Sequence, residues 1–149
     1  MLDDFIQETA NRDTYKAFMG GNGDFIEVKS VNDKDFVNTQ SRHNKQYKTQ
    51  LKNPKTTNEA LQRILAPLVV QLLVDWKMSA TKEAMAENLP DIKCKKLDDD
   101  NVLIPFNAEN ARAILTNPKY WNFLQFILDC AKEHGNFVSD DMEDDEKNS

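Results

Sequence analysis

The sequence predicts a mainly α-helical fold: a small helical domain with a short N-terminal strand, a short β-hairpin and a disordered acidic C-terminal tail. Three observations predict it. Apolar residues recur at helical spacing over residues 61–76, a second and broader apolar helix follows at 118–134, and only three apolar residues occur after Gly135, among many acidic ones. We therefore assign residues 1–138 to one mostly helical domain and residues 139–149 to the tail.

The central helix is predicted from Leu61 to Trp76. Thr56 and Glu59 provide a capping signal in front of it. Pro67 lies inside the pattern, so the helix either bends there or divides into two helices with the same buried face. The apolar stripe consists of Leu61, Ile64, Leu65, Leu68, Val69, Leu72, Leu73 and Trp76. We interpret this stripe as domain core rather than as a face reserved for a partner helix.

The segment before the central helix is predicted to contain four short elements. Residues 1–18 favour an opening helix, and the glycine-rich residues 20–23 then favour a turn. The alternating run Asp24–Lys29 predicts a short strand. A polar helix capped by Asn32 or Asp33 is expected to follow.

A basic segment lies between Arg42 and Lys55. It contains five lysine or arginine residues and no acidic residue, and Tyr47 is its only tyrosine, tryptophan or phenylalanine. Such a segment is typical of a solvated helix face, but it also suits an acidic partner surface, including this chain's own tail, or a nucleic acid. The formal net charge of −6 and the scarcity of aromatic residues for base stacking disfavour the nucleic acid.

The region after the central helix is predicted to form a short helix within residues 77–88, ended by Pro90, and then a hairpin. Two β-prone runs flank the turn formers Asp98–Asn101. The acidic turn matches part of a calcium-loop pattern, but Val102 and Leu103 occupy positions that need a ligand and a glycine. We therefore predict no metal site and no cofactor.

Two further helices are predicted in the last third of the chain. Asn107 caps the first, and the pair Asn117 and Pro118 ends it and begins the second, which extends to His134. The apolar residues of this last helix cover more than one stripe, so it is either central to the domain or partly in contact with another molecule. The residues assigned to partner binding are Trp76, Tyr120, Trp121, Phe123, Phe126 and Ile127.

The sequence offers no recognisable catalytic constellation. His43 and His134 are isolated, Cys94 and Cys130 suit reduced structural thiols, and no phosphate-binding or nucleophile motif is present. No apolar run is long enough to cross a membrane, and the N-terminus lacks a signal-peptide pattern. We therefore expect a cytoplasmic protein that is not an enzyme and binds neither membrane nor nucleic acid.

Several short motifs follow one another along residues 23–149. They are Gly23–Lys29, Leu72–Lys77, Ile104–Ala111, the pair Ile114 and Leu115, the pair Asn117 and Pro118, and the charged end Lys147–Ser149. In this order the chain resembles the tail assembly chaperones of long-tailed, siphovirus-like bacteriophages, most clearly at Asp75-Trp76 and Pro105-Phe106-Asn107. It departs from them at Lys77-Met78, where the family often has a glycine, and in the longer segment 79–96.

The resemblance implies a small helical protein of the host cytoplasm that binds the tape measure protein and helps recruit tail tube subunits during virion morphogenesis. It also implies that the protein leaves before the virion matures. In many such phages a ribosomal frameshift adds a second domain at the end corresponding to the acidic tail. The alternatives are a structural minor tail or connector protein retained in the virion and a regulatory protein that uses the basic segment. Self-association stays open.

Overall fold

The protein has an α+β fold in which helices pack on a five-stranded antiparallel sheet. The computed structural model describes residues 1–2 and 12–138, so the predicted acidic tail at 139–149 lies outside the described residues. The strands are β1 (Thr14–Met19), β2 (Asp24–Lys29), β3 (Leu73–Thr81), β4 (Lys95–Lys96) and β5 (Asn101–Ile104). The helices are α1 (Lys34–Gln46), α2 (Lys48–Lys52), α3 (Asn58–Leu72), α4 (Lys82–Asn88), α5 (Ala108–Leu115) and α6 (Trp121–Lys132). Short 3-10 turns lie at Pro118–Tyr120 and His134–Phe137.

The prediction of a mainly α-helical fold is wrong because the strands form one sheet in the order β1-β2-β3-β5-β4. The predicted strand β2 and the predicted hairpin of β4 and β5 are both present. The strand β3 is not predicted by the sequence. It pairs with β2 through Ile26 and Trp76 and with β5 through Met78 and Ile104. The backbone N–H and C=O groups of a strand need hydrogen-bond partners, and β3 provides these partners for β2 on one side and for β5 on the other.

The central helix is shorter than predicted, because α3 ends at Leu72 and the chain continues as β3. Leu72, Leu73 and Trp76 are all buried, so the apolar spacing fits a helix and a bulged strand equally well. The pairing of β2 with β3 shifts register between Glu27 and Val28, which leaves Val74 as the extra residue of a β-bulge. The backbone hydrogen bonds of the sheet therefore decide the conformation of this segment.

The helix α3 runs through Pro67 without dividing, so the alternative of two separate helices is excluded. The N-terminal cap of α3 lies one residue after the predicted Thr56, because the Thr57 hydroxyl oxygen accepts a hydrogen bond of 3.1 Å from the Ala60 N–H. Nε2 of His43 in α1 lies 2.6 Å from the Ile64 carbonyl oxygen. A carbonyl only accepts, so Nε2 bears the hydrogen and ties α1 to α3 beside the proline.

The N-terminal part of the described chain is a hairpin rather than the end of a helix. The strand β1 pairs with β2 from Thr14 opposite Lys29 to Met19 opposite Asp24, so the predicted helix over residues 1–18 is wrong from Thr14 onward. Its residues 3–11 lie outside the described residues. The predicted turn is confirmed, and Gly20 and Gly23 have positive φ angles of 67° and 84° there.

The hydrophobic core lies between one face of the sheet and the helices α3, α5 and α6. Ile26 and Val28 point inward from β2, and Val69, Leu115 and Leu124 meet them from the three helices. The opposite face of the sheet exposes Phe18, of which 68% is accessible, against Phe25. The helices α3 and α6 pack against each other, and the sheet completes the core.

A buried glutamine joins three parts of the fold. Only 2% of Gln62 in α3 is exposed, and its Nε2 donates hydrogen bonds of 2.8 Å to the carbonyl oxygens of Leu115 and Asn117. The Asn117 side chain in turn donates to the Asn88 carbonyl at 3.1 Å. These bonds fix the loop between α5 and α6 against α3 and the end of α4.

We expect Gln62→Leu to destabilise the protein by roughly 1–3 kcal/mol, because it leaves the buried Leu115 carbonyl oxygen without its amide donor. The free energy of unfolding in urea measures this loss. The matched control is Gln71→Leu at an exposed position of the same helix, where a change within about 0.5 kcal/mol is expected. Equal stability of the two variants would contradict the role of Gln62.

The turn between β4 and β5 depends on ionised Asp98. Hydrogen bonds from the Asn101 side chain and then from the Asp100 backbone N–H lower the pKa of Asp98 below its ordinary 3.8. Because folding lowers this pKa, the ionised carboxylate stabilises the turn above the ordinary carboxyl range. That contribution is lost as the pH falls through the lowered pKa.

We expect Asn101→Ala to raise the pKa of Asp98 toward 3.8, since Asn101 makes the largest contribution to lowering it. An NMR titration of the Asp98 carboxyl carbon measures the pKa directly. Asn122→Ala, at an exposed site in α6, serves as the matched control and leaves the pKa unchanged. A pKa of Asp98 that is the same in both variants would refute this explanation of the turn.

Candidate functional site

A cleft of about 330 Å³ opens between the sheet, α4 and the start of α6. We call it the methionine cleft, and its lining residues are Met19, Asp24, Met78, Ser79, Ala80, Met85, Leu89, Ile104, Ile114, Tyr120 and Phe123. This volume is at the lower end of the range of about 300–1,000 Å³ for ligand pockets in proteins. The size and the apolar lining suit the insertion of a few apolar side chains.

Methionine and aliphatic side chains from the sheet and from α4 form the floor and one wall of the cleft. Met78 in β3 lies opposite Ile104 in β5 across the ladder. Met85 lies in α4, and Leu89 is the C-cap residue of this helix, whose N–H donates to the Met85 carbonyl; both line the cleft. Thr81 caps this helix by accepting a hydrogen bond of 3.1 Å from the Ala84 N–H. The wall is thus fixed to the end of β3.

A carboxylate lies at the edge of this apolar surface. Asp24 is 8% exposed, and its Oδ2 accepts hydrogen bonds from the Ser79 N–H at 2.9 Å and the Ser79 hydroxyl at 2.7 Å. Asn22 donates to the same hydroxyl oxygen at 3.2 Å, which ties the β1–β2 turn to β3. Asp24 forms no ion pair with another residue in the described part of the chain. No described residue donates a hydrogen bond to its Oδ1.

Two half-buried aromatic side chains, Tyr120 and Phe123, form the opposite wall. Asn117 positions them, because its side-chain oxygen accepts from the Lys119 N–H at 3.0 Å and its carbonyl accepts from the Tyr120 N–H at 3.0 Å. Nζ of Lys119 donates to the Asn88 side-chain oxygen at 2.7 Å. This bond links the aromatic wall to the end of α4 at the protein surface.

Two of the residues predicted for partner binding belong to the core. Trp76 is 5% exposed, and its Nε1 donates to the Ile104 carbonyl at 2.8 Å while its ring packs edge-on against Phe106 at 4.9 Å. Ile127 is completely buried. Neither side chain lines the methionine cleft. The cleft residues Met78 and Met85 are themselves mostly buried, at 8% and 6% exposed, but they border the open volume. The apolar character of Trp76 and Ile127 stabilises the domain.

The other predicted residues are divided between different surfaces. Tyr120 and Phe123 line the methionine cleft, whereas Trp121 lines a separate groove of about 380 Å³ beside the start of α3. Phe126 is half-buried against the core and lines neither. The structure therefore brings together only Tyr120 and Phe123 of the predicted set.

The methionine side of the cleft is not predicted by the sequence. The pattern predicts a helix at Met78, which lies in β3, and no strand at Met19, which ends β1. The four-residue spacing of Met85 and Leu89 was a usable signal for apolar side chains at the end of α4. For Asp24, no local signal indicates that its side chain meets Ser79, 55 residues away.

The cysteines and acidic residues of the described chain form neither a reactive thiol site nor a metal centre. Burial raises the pKa of Cys94, and burial and then the charge of Asp129 raise the pKa of Cys130, so both thiols are poor nucleophiles near neutral pH. Within residues 1–2 and 12–138, no cluster of three or more His, Cys, Asp or Glu side chains is placed to bind a metal ion. None of the helices described there is both long and apolar enough to span a bilayer.

Comparison with known proteins shows where the chain belongs. A model of the YdaY prophage protein family matches residues 31–148, which is more than half of the chain. The matched region begins just after β2 and includes the strands β3 to β5 and the helices α1 to α6. No curated protein and no solved structure matches. The chain therefore belongs to the YdaY prophage protein family and is a phage-derived protein.

Proposed function

We propose that the protein is a phage tail assembly chaperone that binds apolar side chains of the tape measure protein in the methionine cleft. The observation that supports this most directly is the cleft itself, where Met19, Met78 and Met85 face Tyr120 and Phe123. The motif order along residues 23–149 resembles that chaperone family, and membership in a prophage family agrees with a phage role.

The composition of the cleft suits a target with many different binding segments. Methionine side chains are unbranched and polarizable, so they adapt to apolar groups of different shape. A tape measure protein is long and helical, and a chaperone that coats it has to accept many sequence segments. An amphipathic helix that places apolar residues at three- and four-residue spacing into a groove is the binding mode that such a surface favours.

Asp24 adds a polar contact to this binding mode. Asp24 lines the cleft, its Oδ2 accepts from Ser79, and no described residue donates to its Oδ1. A lysine, arginine or backbone N–H of the bound segment is a suitable donor for this oxygen. In this proposal the carboxylate orients the bound helix, and the methionines and aromatic rings provide most of the affinity.

The proposed role is non-catalytic and is performed in the host cytoplasm, where tails assemble. It requires no cofactor, nucleic acid or membrane. We also propose that the protein recruits tail tube protein subunits. Only the motif resemblance supports this part of the proposal. Self-association along the tape measure protein is compatible with this role, because several copies have to cover one long target.

We expect Phe123→Ser to reduce binding of the tape measure protein of the same phage by about tenfold or more, since it removes an aromatic wall of the cleft. Co-expression and quantitative co-purification measure this. Phe18→Ser is the matched control, because Phe18 is exposed outside the cleft, and binding is expected to persist.

A second variant covers the case in which Phe123→Ser fails to fold. Ala80→Phe adds a ring to the cleft and removes no side chain from the core, so it blocks the cleft in a folded protein. Circular dichroism confirms folding in each case. Full binding by a folded Ala80→Phe variant would exclude the methionine cleft as the site.

The alternative of a structural tail or connector protein makes a different prediction about the mature particle. A chaperone acts during assembly and departs, so we expect mass spectrometry of purified virions to detect no stoichiometric amount of this chain. Infected-cell lysates taken before release provide the positive control. Several copies in every purified virion would favour the structural role.

A further inference from the structure

The basic segment forms a groove on the surface of α1 and α2. The groove has a volume of about 480 Å³, and we call it the basic groove. Its lining residues are Ser41, Asn44, Lys45, Lys48, Leu51 and Lys52. The three lysines are exposed, and Leu51 is half-buried and is the only apolar residue of the lining.

The positive charge of this groove is not compensated nearby. Arg42 and Lys55 extend it, and no acidic residue occurs between Asp35 and Glu59. None of the basic residues from Arg42 to Lys55 forms an ion pair with a described residue. Like charges at three- and four-residue spacing repel one another, so an acidic occupant would relieve this repulsion.

The groove is not part of the core packing. Phe36 is the only buried residue of α1, and α2 buries none of its residues. His43 and Phe36 attach α1 to α3 on the side that faces the domain. The lysine-lined side is therefore free to bind a charged segment without disturbing the fold.

The chain's own C-terminal segment, residues 139–149, has the complementary chemistry. It contains six acidic side chains, one lysine and a single apolar residue, Met142, with acidic residues on both sides. The basic groove likewise combines cationic side chains with the single apolar residue Leu51. The acidic residues of the segment thus complement the lysines of the basic groove, and each of the two contains one apolar residue.

When extended, the segment is longer than the helix α1, whose C-terminal half carries part of the groove. The Val31 N–H donates to the Ala131 carbonyl at 3.0 Å, so the end of α6 lies beside the start of α1. The chain reaches Val138 six residues after the end of α6. Eleven further residues extend up to about 36 Å, at roughly 3.3 Å each. The thirteen residues of α1 span about 20 Å, at roughly 1.5 Å each.

We propose that residues 139–149 bind in the basic groove of the same molecule, with Met142 against Leu51 and the flanking carboxylates facing the three lysines. Each exposed ion pair is weak and is screened by salt. Attachment within one chain compensates for this, because it gives the segment an effective concentration of roughly millimolar. The bound segment covers a cationic surface that otherwise attracts polyanions.

The test compares amide NMR spectra of the full chain and of a variant whose acidic tail is neutralised. The variant carries Asp140→Asn, Asp141→Asn, Glu143→Gln, Asp144→Asn, Asp145→Asn and Glu146→Gln. We expect the amide resonances of Lys45, Lys48 and Lys52 to move in this variant. Raising NaCl to about 0.5 M is expected to move the wild-type resonances in the same direction.

A matched control removes the same charge from exposed sites elsewhere. It carries Glu83→Gln, Glu87→Gln, Asp91→Asn, Asp99→Asn, Asp100→Asn and Glu109→Gln, and the groove amides are expected to stay in place. Met142→Ser is expected to move the methyl resonances of Leu51 but not those of exposed Leu97.

Two results would overturn the proposal. Groove amides with the same positions in the wild type and the tail-neutralised variant would show that the segment does not occupy the groove. Resonances that return to the variant positions on tenfold dilution would show binding between two copies instead of within one molecule. Shifts that are independent of dilution and absent from the matched control would support binding in the same molecule.

Discussion

The fold depends on the backbone pairing of β3 with strands on both of its sides. β2 and the hairpin of β4 and β5 are each too small to be stable alone, and β3 joins them into one sheet. Its pairing also fixes which side chains face the helices. Trp76 enters the core, Met78 forms the floor of the methionine cleft, and Ser79 meets Asp24 at the edge of the cleft. The pairing of β3 therefore determines where these residues of the methionine cleft lie.

The elements that are specified locally were predictable from the sequence. The strand β2, the hairpin turn at Asp98 and the N-terminal caps of α1 and α5 each depend on residues within a few positions of one another. The strand β3 was not predictable in this way. Leu72, Leu73 and Trp76 satisfy a helical pattern, and only hydrogen bonds to distant strands show that the helix ends at Leu72. Because a helix is predicted where β3 lies, the predicted fold class is mainly helical rather than α+β.

The candidate site was predictable only on its aromatic side. Tyr120 and Phe123 stand out because α6 is apolar over more than one stripe, as a helix with both core and surface contacts has to be. Trp76 and Ile127 share this apolar character, but they pack in the core and do not line the cleft. Hydrophobicity alone does not distinguish a core residue from a binding residue. The cleft needs Met19, Met78 and Met85 from separate elements, and sequence spacing cannot bring these together.

The central claim is that the methionine cleft receives apolar side chains of the tape measure protein. The methyl NMR signals of the chain's five methionines report this contact directly, with a soluble helical segment of the tape measure protein as the titrant. We predict that the signals of Met19, Met78 and Met85 shift together and saturate, whereas those of Met1 and Met142 do not follow them. Saturable binding that leaves the three cleft signals unchanged would contradict the claim.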